Sequence, residues 1–342
     1  MKSLPPPHRP GQSWQNQAFF AAAGFALGLW LLRGMIGAHE PVTPGGVGMP
    51  LGESPDLTCI ALGAAHYPTV DPKTLSLARI EKRSQETDIG RATMSAAIAD
   101  GLRVCFNPAM AVPKPSGNRT VGAYILGRKR VDLNPDVDTD MLTTTMVHEA
   151  RHRVQEVLGV NFLAEGNIPE AERMIVAWLT EADARLVTIL SAREAHRNGD
   201  LSQMERLMGD SAYRPMIYAM IAAQVQNPDD RAAEMAAAIK AFRQSRELID
   251  LYDPDFIKTI VTFSAPYDPT KPRQILVHDQ MLSKLGDMGP YGNYMTNDLK
   301  KFIRASFTDQ DWRDMKAAQD CLQKRKLGQI KGVCPSWPRP SA

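Results

Sequence analysis

The chain has 342 residues, 44% of them hydrophobic and 23% charged, with a formal net charge of +2. It is long enough to bury a sizeable core as one large or two medium domains. The near-balanced charge, with no basic stripe interleaved with aromatics, gives no support to nucleic-acid binding, and no internal repeat, Gly-rich phosphate loop or G-x-S-x-G elbow is present.

Residues 1–17 are polar, carry Lys2 and Arg9, and include Pro5-Pro6-Pro7. They are expected to stay outside the fold, as a disordered segment on the cytoplasmic side. Residues 18–32 follow as an apolar run without charge, then Arg33 and 34-GMIGA-38. Such a run suits a signal peptide cleaved after Ala38. With Arg33 snorkelling, 18–38 is also long enough for a membrane anchor, the narrowly preferred reading. Positive charge precedes the run, so either reading places the remainder on the periplasmic or extracytoplasmic side. Residues 39–57, rich in Pro and Gly, read as a linker.

Cys59, Cys105, Cys321 and Cys334 form an even set without C-x-x-C spacing. In an oxidising compartment they allow two disulfides in three connectivities, one of them Cys59–Cys105 with Cys321–Cys334; reduced, partly buried thiols are the alternative.

Beyond the linker, one helix is predicted from about Leu75 to Asp100, between Thr74 and Gly101. A short strand is read at 102-LRVCF-106 and a hairpin at 121-VGAYILGRKRVDL-133 around Gly127. Asn134-Pro135 breaks the pattern, and a helix runs from about Asp138 to Leu158 with Gly159 placed to end it. Asn167-Ile168-Pro169 opens a second long helix that stops near Asn198-Gly199. Ile175, Trp178, Ala182, Leu186, Ile189 and Arg193 recur along it at helical spacing, so one broad side is expected to be buried. Residues 200–250 read as Ala- and Met-rich helix with a capping signal at Asn227-Pro228. Residues 265–297 read as irregular, 297–326 as a last helix and 335–342 as a disordered tail. The class is α+β, mainly α. The expected division is a core over 58–200 and a helical C-terminal extension over 201–334 packed on it.

The chemistry lies in 145-TMVHEARHRVQE-156. His148 and His152 stand one helical turn apart and share a face, so both imidazoles can address one ion. Glu149 adjoins the first ligand, where a carboxylate can act as general base on an activated water. Zinc accepts such an N/O donor set tetrahedrally and keeps a position open in a catalytic site. The third ligand sets the class. Gln155 and Leu158 stand where a metzincin needs Gly and His, which excludes that arrangement. A carboxylate on a following helix that folds back fits instead, and 181-EADA-184 offers Glu181 and Asp183 at opposite margins of the expected buried side. Helical phase alone does not choose between them.

The H-E-x-R-H motif, the segment Tyr124–Asn134 before it and 178-WLTEADAR-185 after it resemble a family of small bacterial metallopeptidases of the zincin superfamily, close in plan to minigluzincins. The resemblance covers roughly residues 70–200. It implies a zincin-like core, with His148, His152 and Glu181 as zinc ligands and Glu149 as base. It also implies that Asp183 orients a ligating histidine, and that a strand near Ile125–Leu133 rims a cleft where a peptide adds as an extra strand. The expected function is zinc-dependent hydrolysis of peptide bonds in a peptide or protein substrate, on a chain tethered to the membrane by its N-terminal helix. Tyr291, Tyr294, His278 and Arg185 are the candidates for stabilising the oxyanion. The rival reading is a non-catalytic envelope interaction protein, zinc-stabilised or metal-free; oligomeric state is not legible.

Overall fold

The computed structural model describes residues 57–63, 72–111, 121–125, 128–245, 268 and 270–305, with isolated positions between 248 and 260 and between 317 and 329. The expected N-terminal segment, the anchor over 18–38, the linker up to its last residue and the tail lie outside the described residues. Among the described residues, no helix is long and apolar enough to cross a membrane.

The fold is mainly helical around one small mixed sheet, the α+β class expected. Strand β1 (Thr58–Ala61) precedes helices α1 (Pro72–Ser84) and α2 (Asp88–Ala99). Strands β2 (Arg103–Phe106), β3 (Gly122–Ile125) and β4 (Arg130–Leu133) complete the sheet, whose order is β1-β2-β4-β3. β1 and β2 are antiparallel, β2 and β4 parallel, and β4 and β3 antiparallel. β1, too short to show alternation, is not foreseen from the sequence. Cys59 and Cys105 oppose each other directly on β1 and β2 and are joined as a disulfide. Cys321 is also disulfide-bonded, while Cys334 lies outside the described residues.

The single helix expected over 75–100 is two. Thr87 caps α2 by accepting a hydrogen bond from Gly90 N and shares a 2.8 Å hydroxyl contact with Ser191. Any Cβ at Gly90 would lie 2.2 Å from the Ser84 carbonyl oxygen, so glycine lets the new helix start tightly against the end of the old one.

Helix α3 (Thr139–Val157) carries the motif; Asp138 caps it through Met141 N, and Gly159, at φ +76°, ends it. Leu142, Met146 and Ala150 join the core under the sheet with Leu77, Met94 and Val131. Val147 instead joins a second core built around helix α4 (Glu170–Arg197), so α3 is a wall shared by both. Val157, the last residue of α3, is 54% exposed.

α4 is buried on almost every side rather than one: Trp178, Ala182 and Leu186 are covered, and so are Leu179, Val187 and Leu190. It lies against α2 and α3 and against the later helices α5 (Ser202–Gly209) and α7 (Arg231–Gln244), while α6 (Arg214–Gln226) packs on α7 in the same core. These three make up the Ala- and Met-rich helix read over 200–250, and Asp230 rather than Asn227 caps α7. Leu248, Tyr252, Phe256 and Ile260, spaced by four, are helical and buried in the same core. The stretch read as irregular contains α8 (Asp279–Gly286), and α9 (Asn297–Ala305) begins where the last helix is expected. The rest of that expected helix falls almost wholly outside the described residues.

Candidate metal centre

On α3 the four-residue spacing brings His148 and His152 edge to face, with their Nε2 atoms 3.2 Å apart. From α4, Glu181 reaches between them, Oε1 lying 3.3 Å from His148 Nε2 and Oε2 3.5 Å from His152 Nε2. The two helices meet in antiparallel sense, since Gln155 reaches Thr180 while Arg151, one turn earlier, reaches Asp183. All three side chains are buried, and their candidate donor atoms lie within 4.8 Å of one another.

The tautomer of His152 is readable from its neighbours. Gln155 Nε2 donates to Thr180 O and to Asp183 Oδ2, both at 2.7 Å, so its amide oxygen must face His152 Nδ1, 2.8 Å away. That oxygen can only accept, which puts a proton on Nδ1 and leaves Nε2 to coordinate when the ring is neutral. Glu181 Oε2 is buried without a hydrogen bond, as is His148 Nδ1. Two imidazole nitrogens and an orphaned carboxylate oxygen facing one point form a donor set that fits a metal ion.

Without a metal, the same closeness tunes protonation. Burial pulls the His152 pKa down, but the adjacent Glu181 carboxylate and the charge of Glu149 outweigh it, leaving it at about 9. Burial pushes Glu181 up, yet both histidines and Arg185 hold it well below the usual carboxylate range.

Asp183 does not join the cluster. It pairs with the Arg151 guanidinium at 2.6 and 3.1 Å and accepts from Gln155 and from Tyr294 OH, each at 2.7 Å. Arg151, a charged residue inside the motif, is therefore a packing partner between helices, and it donates in addition to Leu285 O. Glu181 has its own support: Tyr252 OH donates to Oε1 at 2.7 Å, and Arg185 Nε lies 3.2 Å from the same oxygen.

Glu149 is buried beside the cluster, where its Oε2 accepts from Tyr124 N at 2.8 Å. Burial raises its pKa; the two histidines oppose that and Glu181 reinforces it. The strand that meets Glu149 is β3, the edge strand, whereas Arg130–Leu133 is interior; the rim expected near Ile125–Leu133 is thus Gly122–Ile125 alone. Gly122 makes the approach possible, since a Cβ there would lie 2.3 Å from Thr145 Cγ2. A small cavity with room for about one water opens between β3 and α3, and Gly122, Met141, His148, Glu149, Asp210 and Tyr213 are among its walls.

None of the four oxyanion candidates lines this cavity. Tyr294 is bound to Asp183, Tyr291 OH donates to Glu194, His278 caps α8 through Met281 N, and Arg185 is bound to Tyr252 and Glu181. Gln155, Tyr213 and Tyr252 are absent from the sequence-based site. Only Gln155 had a local signal, three residues past His152.

No curated protein and no solved structure matches the chain. A protein-family model described as "Putative metallopeptidase family (DUF6782)" matches residues 54–295, which include the sheet, the His148–His152–Glu181 cluster and the segment down to Tyr294. That match covers well over half of the sequence, and the chain belongs to this family.

Proposed function

We propose that this protein is a zinc-dependent metallopeptidase in which His148, His152 and Glu181 hold the ion and Glu149 is the general base. The observation that carries the reading is the convergence of three buried donor groups, with Glu149 beside them on the wall of a cavity. A structural zinc site is closed and needs no base, so the cavity and Glu149 favour catalysis over a zinc that only ties helices together.

Zinc bound there supplies Lewis acidity, acidifying a water molecule and polarising the scissile carbonyl. Glu149 handles the proton. With Oε2 held by Tyr124 N, Oε1 is the oxygen left to take the proton from the attacking water. Burial raises its proton affinity, which suits a group that holds the proton and then passes it to the leaving amine. The outer edge of β3, paired with no strand among the described residues, runs past Glu149 and offers main-chain groups to an extended peptide. The disulfide between Cys59 and Cys105 supports an oxidising, extracytoplasmic address, with residues 18–38 as membrane anchor or cleaved signal.

Metal analysis tests the reading. Purified protein should hold about one zinc per chain. The ion should be lost in His148→Ala and Glu181→Ala and retained in Glu149→Gln, which should lose hydrolysis of a peptide pool. Wild type that takes up no zinc after careful loading sinks the proposal.

A further inference from the structure

Hydrolysis at this site builds negative charge on the carbonyl oxygen, and a second donor besides the ion lowers that barrier. None of the four sequence-based candidates lines the cavity, so the donors on its wall decide the matter. Thr144 spends its hydroxyl on Met141 O at 2.9 Å, and Thr145 turns its methyl group toward Gly122. Asp210 is a carboxylate. Tyr213 is the phenol that lines the cavity together with His148 and Glu149.

Its placement is built rather than incidental. Asp210 Oδ1 accepts from Ala212 N at 2.8 Å and Asp210 O accepts from Tyr213 N at 3.1 Å, closing a tight turn between α5 and α6. Pro215, in the first turn of α6, stiffens the exit. The Arg185 guanidinium lies over the Tyr213 ring, 4.5 Å from its centroid, while its Nε contacts Glu181. One arginine thereby fixes the phenol relative to a proposed zinc ligand. Tyr213 is 5% exposed. Burial, then the charges of Asp210, Glu181 and Glu149, push its pKa up against the pull of Arg185, so the hydroxyl keeps its proton and remains a donor.

We infer that Tyr213 is a catalytic residue, its hydroxyl donating a hydrogen bond to the carbonyl oxygen as that oxygen becomes an oxyanion; this rests on the metallopeptidase reading above. The step balances without a redox partner. Water oxygen bonds to the carbonyl carbon, the C=O π pair moves onto oxygen and the water proton goes to Glu149. On collapse the C=O bond re-forms, the C–N bond breaks and the Glu149 proton moves to the amine nitrogen. Tyr213 gives a hydrogen bond throughout and transfers no proton.

The test uses Tyr213→Phe in the full chain, which removes one oxygen and leaves the ring beneath Arg185. The expected result is zinc content equal to wild type, kcat on a quenched-fluorescence peptide pool lower by about 100- to 1,000-fold, and KM little changed. A second measurement does not depend on turnover. In the cobalt-substituted protein, visible absorption should show a pool of phosphinic pseudopeptides, which present a tetrahedral anion, binding at least about tenfold more weakly to the variant. Azide, which needs only the metal, should bind both alike. Equal pseudopeptide affinity and equal kcat overturn the assignment while leaving the metallopeptidase reading intact. Loss of zinc in Tyr213→Phe also overturns it, because the hydroxyl would then be structural. Wild type without zinc or cleavage removes the parent reading and this inference with it.

Discussion

Asp183 reaches His152 through Gln155, whose amide nitrogen lies 2.7 Å from the Asp183 carboxylate and whose amide oxygen lies 2.8 Å from His152 Nδ1. The carboxylate that competes with Glu181 in the sequence thus acts at one remove, fixing the amide that fixes the ring. Outer partners of this kind typically carry 10- to 100-fold of metal affinity. Gln155→Ala should therefore weaken zinc binding by about that factor in a chelator competition while the protein stays folded. Gln155→Glu keeps an acceptor toward Nδ1 but sets its other carboxylate oxygen against Thr180 O and Asp183, so it should not recover the loss. Asp183→Ala is expected to behave differently. It strands the buried Arg151 charge and should cost about 3–5 kcal/mol of stability in denaturant unfolding. A Gln155→Ala protein with wild-type zinc affinity would remove Gln155 from the site.

Gly122 sets the distance between the edge strand and the motif helix. A Cβ there meets Thr145 Cγ2 at 2.3 Å and Leu133 Cδ2 at 3.2 Å, both inside the packed layer that holds Glu149. Gly122→Ala should destabilise the protein by about 1–3 kcal/mol, the usual cost of overpacking, and loosen the Tyr124 N to Glu149 contact. Thr145→Ser removes the clashing methyl group. The double variant should recover much of the lost stability, and a thermal-melt cycle on the four proteins reads the coupling. Strict additivity would mean that Gly122 is needed for some other reason.

These relationships also mark what the sequence could and could not reveal. The motif helix was legible because Asp138, the H-E-x-x-H spacing and Gly159 are all local signals. The choice between Glu181 and Asp183 was not, because α4 is buried on nearly every side and no exposed face supplies a phase. Only packing against α3, Tyr252 and Tyr294 separates the two carboxylates. Tyr213 and Tyr252 come from chain segments 32 and 71 residues beyond Glu181, counted along the numbering, and neither carries a motif. The broken helix at residues 85–87 had a readable cue in Thr87-Asp88, but the apolar pattern runs through it.

Protonation of His152 gives a pH dependence whose sign can be worked out. In the metal-free protein its pKa is about 9, raised from the ordinary 6.5 by Glu181 and Glu149 against the opposing effect of burial. A folded-state value above the unfolded one adds stability that is fully present below about pH 6.5 and is lost as pH rises through 9. The metal-free protein should therefore show a falling Tm between those limits, and Glu181→Gln should flatten the fall. Zinc requires the deprotonated ring, so its affinity should rise over the same interval. A metal-free Tm that is flat from pH 6.5 to 9 would falsify the coupling.

The Cys59–Cys105 bridge closes a sequence separation of 46 residues and joins β1 to β2 at directly opposed positions. β1 is a four-residue edge strand, paired on one side only, so its own ladder holds it weakly. Removing a bridge of this kind typically costs about 2–4 kcal/mol. Cys59→Ala with Cys105→Ala should lower the Tm accordingly, and a reducing agent should do the same to wild type but nothing further to β1 in the double variant. The metal centre lies on α3 and α4, tied to the sheet through β3 rather than β1. Zinc content should consequently survive the loss of the bridge at temperatures below the new Tm. If zinc leaves with the disulfide while the helices remain folded, β1 supports the site by a route these contacts do not contain.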